Sequence, residues 1–234
     1  MNSRFVKIGA GLASLALVGA ACGSDDDGAN TSAPTEQSAN PASADLASVD
    51  TGAAELQAGL TSLLQEHVYL AGAAIATAVQ AGGDLEAPAV SSAVETLDAN
   101  SVALSEAITS VYGEDAGAQF LELWRNHIGF FVDYTLGGAT GDQAMQDEAK
   151  QKLDDYRADF GAFIDSATGG ALDATTVADN LQVHVNTLVE AIDAVLAGSP
   201  EVFPKLREAA QHMPSTALAL SGAITTQFPE KFAS

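Results

Sequence analysis

Only one of the 234 residues is cysteine, Cys22. A single thiol excludes an intrachain disulfide, a thiolate metal cage and covalent haem attachment, so any site in the chain is built from imidazole, carboxylate, hydroxyl and amide groups. Basic residues are also scarce, nine against thirty-one acidic ones, for a formal charge of −22. Such a surface repels phosphate backbones, which excludes nucleic-acid binding and favours cations and basic partners. Aromatics make up only 6% while 47% of the chain is hydrophobic, much of it alanine, a composition that suits close-packed helices better than sheets. No stretch alternates with a period of two. There is no Glu-x-x-His pair for a di-iron bundle, no His-Glu-x-x-His, no phosphate-binding loop and no nucleophile elbow. Nothing in the sequence asks for catalysis.

The longest uninterrupted apolar run, Ile8 to Ala21, follows Arg4 and Lys7. It spans roughly 21 Å as a helix, short of a bilayer core of ~30 Å. It therefore reads as the hydrophobic part of a signal peptide over residues 1–21. The run ends in Gly19-Ala20-Ala21-Cys22 and a polar Gly-Ser-Asp-Asp-Asp. This resembles the lipobox of bacterial lipoproteins, although Gly19 stands where that family usually has leucine. The resemblance implies cleavage before Cys22, a diacylglyceryl group on its sulfur, and a chain held on the extracytoplasmic face of the cell membrane. Residues 22–48 are rich in Ser, Ala, Asp, Asn and Pro with no apolar period, the composition of a disordered tether. Its reach is about 25–30 Å.

From residue 49 to 234 apolar residues recur at spacings of three and four, between regular punctuation. The expectation is an all-α domain of six helices: Thr51–Ala81, Pro88–Tyr112, Asp115–Leu136, Asp142–Thr168, Asp173–Gly198, and one opening at Ser199-Pro200-Glu201 and ending near Phe228. Short connections make neighbours antiparallel, so the six form three hairpins in one bundle. Leu64-Gln-Glu-His67-Val, Trp124-Arg-Asn-His127-Ile and Leu181-Gln-Val-His184-Val recur about 60 residues apart, which predicts an internal two-helix repeat.

Each of these histidines occupies a slot in an apolar stripe: Leu56, Leu60, Leu63, His67, Leu70; Phe120, Leu123, His127, Phe130; Leu181, His184, Leu188. Similar depth on parallel helices would bring the three rings to one level. The fourth histidine, His212, sits at the edge of an apolar face two residues before Pro214, which should kink the helix there. Neutral imidazoles at one level could bind Zn²⁺ or a copper ion, with His67, His127, His184 and His212 as ligands and Glu66, Asp133 and Glu208 orienting them. A pH-sensitive cluster and plain hydrogen-bonded core histidines are the alternatives.

The patterns Gln65-Glu-His67-Val, Ala107-Ile-x-x-x-Tyr112-Gly-Glu-x-Ala-Gly117, Trp124-x-x-His127-Ile and Gly222-Ala-Ile-x-x-Gln-Phe-Pro-Glu-Lys-Phe232 also resemble an uncharacterised family of secreted all-helical bacterial proteins with a histidine in several helices. The resemblance covers about residues 55 to 232 and implies an architecture without an activity. Two functions follow as expectations. One is a non-enzymatic envelope binding module that holds a metal ion or small ligand at the histidine level. The other is a structural or interaction lipoprotein that meets basic envelope partners.

Overall fold

Alanine-rich segments with few β-branched runs and strong end signals give helices throughout residues 51–232, the part that the computed structural model describes. The leader, Cys22 and the tether lie outside the described residues. In chain order the helices are α1 Gly52–Gln80, α2 Pro88–Tyr112, α3 Glu114–Thr140, α4 Gln143–Thr168, α5 Ala174–Leu196, α6 Val202–Gln211, α7 Met213–Gln227 and a last turn α8 Pro229–Phe232. The domain is all-α. Among the described residues no helix is long and apolar enough to cross a membrane.

The ends follow from local chemistry. The side chains of Thr51, Asp142 and Asp173 accept from the backbone N–H groups of Ala54, Met145 and Thr176, satisfying donors that a helix start leaves open. Between α2 and α3 only Gly113 intervenes, at φ 91°, a conformation open to glycine at no steric cost. Two expectations needed correction. Gly137-Gly138 does not stop α3, which runs on to Thr140 and ends at Gly141 with φ 74°. Both glycines are there for closeness: a Cβ on Gly137 would lie 2.9 Å from the Asp142 carbonyl oxygen, and one on Gly138 would strike Leu196. The sixth expected helix is two helices, broken at His212. Pro214 has no N–H for the Ala210 carbonyl, and the chain restarts with the proline in the first turn of α7, where no N–H is needed.

The odd-numbered helices α1, α3 and α5 touch one another pairwise and form the inside. Helix α2 packs on α1 and α3, α4 packs on α3 and α5, and α6 packs on α5 and α1. Past the break, α7 leaves α5 and lies mainly along α1, with a lighter contact to α4. Polar ties fix the neighbours: Asn100 Nδ2 donates to the Leu63 carbonyl at 3.0 Å, Tyr134 donates to Asp193 at 2.8 Å, and Arg157 donates to the Ala178 carbonyl at 3.0 Å.

Two apolar clusters make the core. One gathers Leu60, Leu64, Leu104, Phe120, Trp124 and Phe160. The other gathers Ile75, Phe131, Leu153, Leu188 and Ile192. Burying each such side chain stabilises the fold by about 1.5–3 kcal/mol. The buried stripe of α3 is Phe120, Trp124, His127, Phe131 and Tyr134, so the expected Leu123 and Phe130 are shifted to half-buried flanks. The three repeated histidines fall on α1, α3 and α5 between residues of the first cluster and residues of the second.

Candidate functional site

His67, His127 and His184 keep only 1%, 2% and 6% of their surface exposed, and their rings meet. The Nε2 atoms of His67 and His127 are 3.4 Å apart. The ring centres of His67 and His127 are separated by 5.4 Å, and those of His67 and His184 by 6.4 Å. Trp124 closes on both members of the near pair, 4.8 Å from His67 and 4.6 Å from His127. Tyr156 of α4 stacks on His127 at 4.9 Å and 21°. The convergence has a simple cause. Three helices that touch pairwise each bring an inward histidine to the same depth.

Hydrogen bonding inside this layer is incomplete. Two neutral imidazoles can share one N–H···N bond, so one of His67 and His127 donates through Nε2 and the other accepts there. The accepting ring must then carry its proton on Nδ1. The Nδ1 atoms of His67 and His184 are buried without a partner, as are Trp124 Nε1 and the Tyr156 hydroxyl, and Nδ1 of His127 has only the Trp124 carbonyl one turn back, too poorly aligned for a full hydrogen bond. Leaving buried polar groups unpaired costs about 1–3 kcal/mol each.

No buried carboxylate compensates a charge here. Burial, followed by the neighbouring His184, pushes His67 down to about 3. Burial, followed by the field of His212, takes His184 down to about 4. His127 is held well below the ordinary imidazole range by burial, then by His67 and His184, with the Trp124 backbone opposing weakly. All three are neutral at pH 7, the form that can ligate a metal or accept a hydrogen bond.

The remaining expected residues fall elsewhere. His212 stands at the break between α6 and α7, outside the ring-to-ring contacts but close enough to His184 to act on its charge. Glu66 is exposed and accepts from Asn100 Nδ2 at 2.8 Å. Asp133 faces Lys152 at 3.8 Å, and Glu208 is exposed on α6. None of the three hydrogen-bonds to an imidazole, because each side chain points away from the buried face of its helix. Among the described residues no group of three or more His, Cys, Asp or Glu side chains forms a ready metal site. The 3.4 Å between His67 Nε2 and His127 Nε2 does match the edge of a site with metal–nitrogen bonds of ~2.0–2.1 Å.

Trp124 and Tyr156 are site residues that the sequence reading did not single out. Trp124 was visible as the bulky residue three before His127. Tyr156 lies on a helix without a histidine and had no signal beyond its place in an apolar stripe.

A cavity adjoins the layer on each side. The smaller, about 70 Å³, is walled by His67, His127, Phe131 and Leu188. The larger, about 150 Å³, is lined by Trp124, Phe120, Phe160, His184 and His212 among aliphatic side chains. Its mouth lies between α5 and α7, at the exposed Thr176, Asn180, Ser215 and Ala219. These helices part because α7 swings to α1 after the Pro214 break, so the kink opens the mouth.

No protein-family model, curated protein or solved structure matches the chain.

Proposed function

We propose that the chain is a bacterial lipoprotein, anchored through Cys22 on the extracytoplasmic face of the cell membrane, whose helical domain is a non-enzymatic binding module. Its ligand at the histidine level is a metal ion. The observation that carries this reading is the near-complete burial of three neutral imidazoles, with the Nδ1 atoms of His67 and His184 unpaired and two Nε2 atoms 3.4 Å apart. Between the two metals, charge weighs against Zn²⁺. With no carboxylate touching the rings, Zn²⁺ would carry two uncompensated charges into an apolar interior, and Cu⁺ would carry one. The same three histidines support a tandem of three hairpins, each pairing an inner helix with an outer one. The recurrence near residues 64, 124 and 181 and the alternation of inner and outer helices both favour that origin.

The alternative, a structural lipoprotein with core histidines, is favoured by one feature. Glu66, Asp133 and Glu208 leave the rings unsupported. Elemental analysis and titration of the untagged chain with Zn²⁺ and with Cu⁺ under reducing conditions separate the two. The binding module takes up one Cu⁺ per chain and loses it in a His67→Leu/His127→Leu variant. Absence of stoichiometric metal and of any thermal shift leaves the structural reading. The anchor is checked by fractionation: a Cys22→Ser chain leaves the membrane fraction, and one that stays there refutes lipidation.

A further inference from the structure

The larger cavity has a chemistry of its own. It is big enough for a six-membered ring, since an apolar cavity of about 150 Å³ holds a benzene-sized molecule. Its lining contains no Lys, Arg, Asp or Glu, so an ionic guest would be desolvated without compensation. Two imidazoles supply nearly all its hydrogen-bonding capacity away from the mouth. His184 is more than nine-tenths buried, and of its ring nitrogens Nδ1 is sealed off while Nε2 opens onto the cavity. In the same wall His212 Nε2 and Trp124 Nε1 are likewise sealed off without partners, so the His212 imidazole meets a guest through Nδ1. A neutral imidazole presents either an N–H or a lone pair, and a hydroxyl group can meet both. A carbonyl can meet only the first. The aromatic rings of Phe120, Trp124 and Phe160 form one side of the chamber, suited to a flat apolar body.

We propose that this cavity is a binding site for a small neutral aromatic alcohol, with the ring among Phe120, Trp124 and Phe160 and the hydroxyl on the imidazoles of His184 and His212. Entry is by the mouth between α5 and α7 that the break at His212 creates. The site shares His184 with the histidine layer, but His67 and His127 do not line it.

Phenol and benzene are the probes, and Trp124, the only tryptophan, is the reporter. The full chain is used with Cys22→Ser, so that no detergent competes for the cavity. Selective excitation of Trp124 should show saturable phenol binding at least tenfold tighter than benzene binding. Partitioning from water alone favours benzene, so this order reports the imidazoles. Benzoate should not bind. A Thr176→Phe/Ala219→Phe chain, altered only at exposed positions of the mouth, should lose phenol. His212→Leu should keep a cavity yet bring phenol down to the affinity of benzene or below. Absence of saturable phenol binding, benzene binding as tight as phenol, or full binding to the mouth variant would each overturn the proposal. Phenol binding retained by His67→Leu separates this site from the metal level, whichever way the metal titration turns out.

Discussion

Lowering the pH from 8 to 5 should destabilise this domain through its histidines. In the unfolded chain each imidazole has the ordinary value of 6.5, whereas folded His67 and His184 lie at about 3 and about 4, and His127 well below 6.5. The unfolded state therefore binds more protons across this window, and stability rises with pH. The stabilisation is complete above pH 6.5 and is lost as the pH falls towards the folded values, where the loss levels off. At pH 5 His67 and His184 have each forfeited about 2 kcal/mol, about 4 kcal/mol together, and His127 adds to the loss in the same direction. That is comparable with the whole stability of a small domain, about 5–15 kcal/mol. Asp173 is pushed lower by its bonds to Thr176, and buried Tyr156 is raised well above its usual range, so neither competes in this window. Urea unfolding of metal-free protein between pH 8 and 5 gives the slope, and calorimetry in two buffers gives the proton uptake directly. At least about two protons should be taken up per molecule unfolding at pH 5, and about one fewer in His184→Leu. An uptake below one proton in the unsubstituted chain would refute the neutral, buried layer.

Pro214→Ala should change stability by less than about 1 kcal/mol in thermal unfolding, because the proline already sits in the first turn of α7 and violates nothing there. A gain near 3 kcal/mol would mean that it strains a continuous helix. Gly72→Val should cost about 1–3 kcal/mol, since a Cβ on Gly72 lies 2.6 Å from a Leu206 methyl, where α1 and α6 approach closely. Gly129→Ala, on an exposed helical position with nothing within 4 Å, should instead raise the urea midpoint by the equivalent of about 0.5–1 kcal/mol. Leu188→Ala removes a side chain only 1% exposed, beside His184 and the smaller cavity. It should cost about 2–5 kcal/mol, and a loss below 1 kcal/mol would show that the second core cluster is loosely packed.

Much of this was legible in the residues themselves. The helix starts expected at Thr51, Asp142 and Asp173 hold, and there each side chain accepts a backbone N–H of the first turn. Pro214 announced a disturbance at His212, but whether it kinked or divided the helix depended on where the second half could bury itself. Gly137-Gly138 misled for the same reason. A glycine pair signals both an end and a close approach, and only the nearness of Leu196, Gln146 and Asp142 shows which one applies.

For the histidines the division is sharper. Spacing alone determined that His67, His127 and His184 face inward, because helical period fixes a face. It could not determine that the faces meet, since convergence needs α1, α3 and α5 to touch pairwise. Nor could it place Tyr156, which reaches His127 from the next helix, α4, without a histidine pattern to mark it. The carboxylates nearest in sequence were poor guides, because neighbours along a helix point to different sides. By itself the sequence settled an all-α domain without cysteine, with inward imidazoles, in an acidic chain. Tertiary packing decided that three of those imidazoles share one dry layer, and that the fourth stands at a cavity opened by a broken helix.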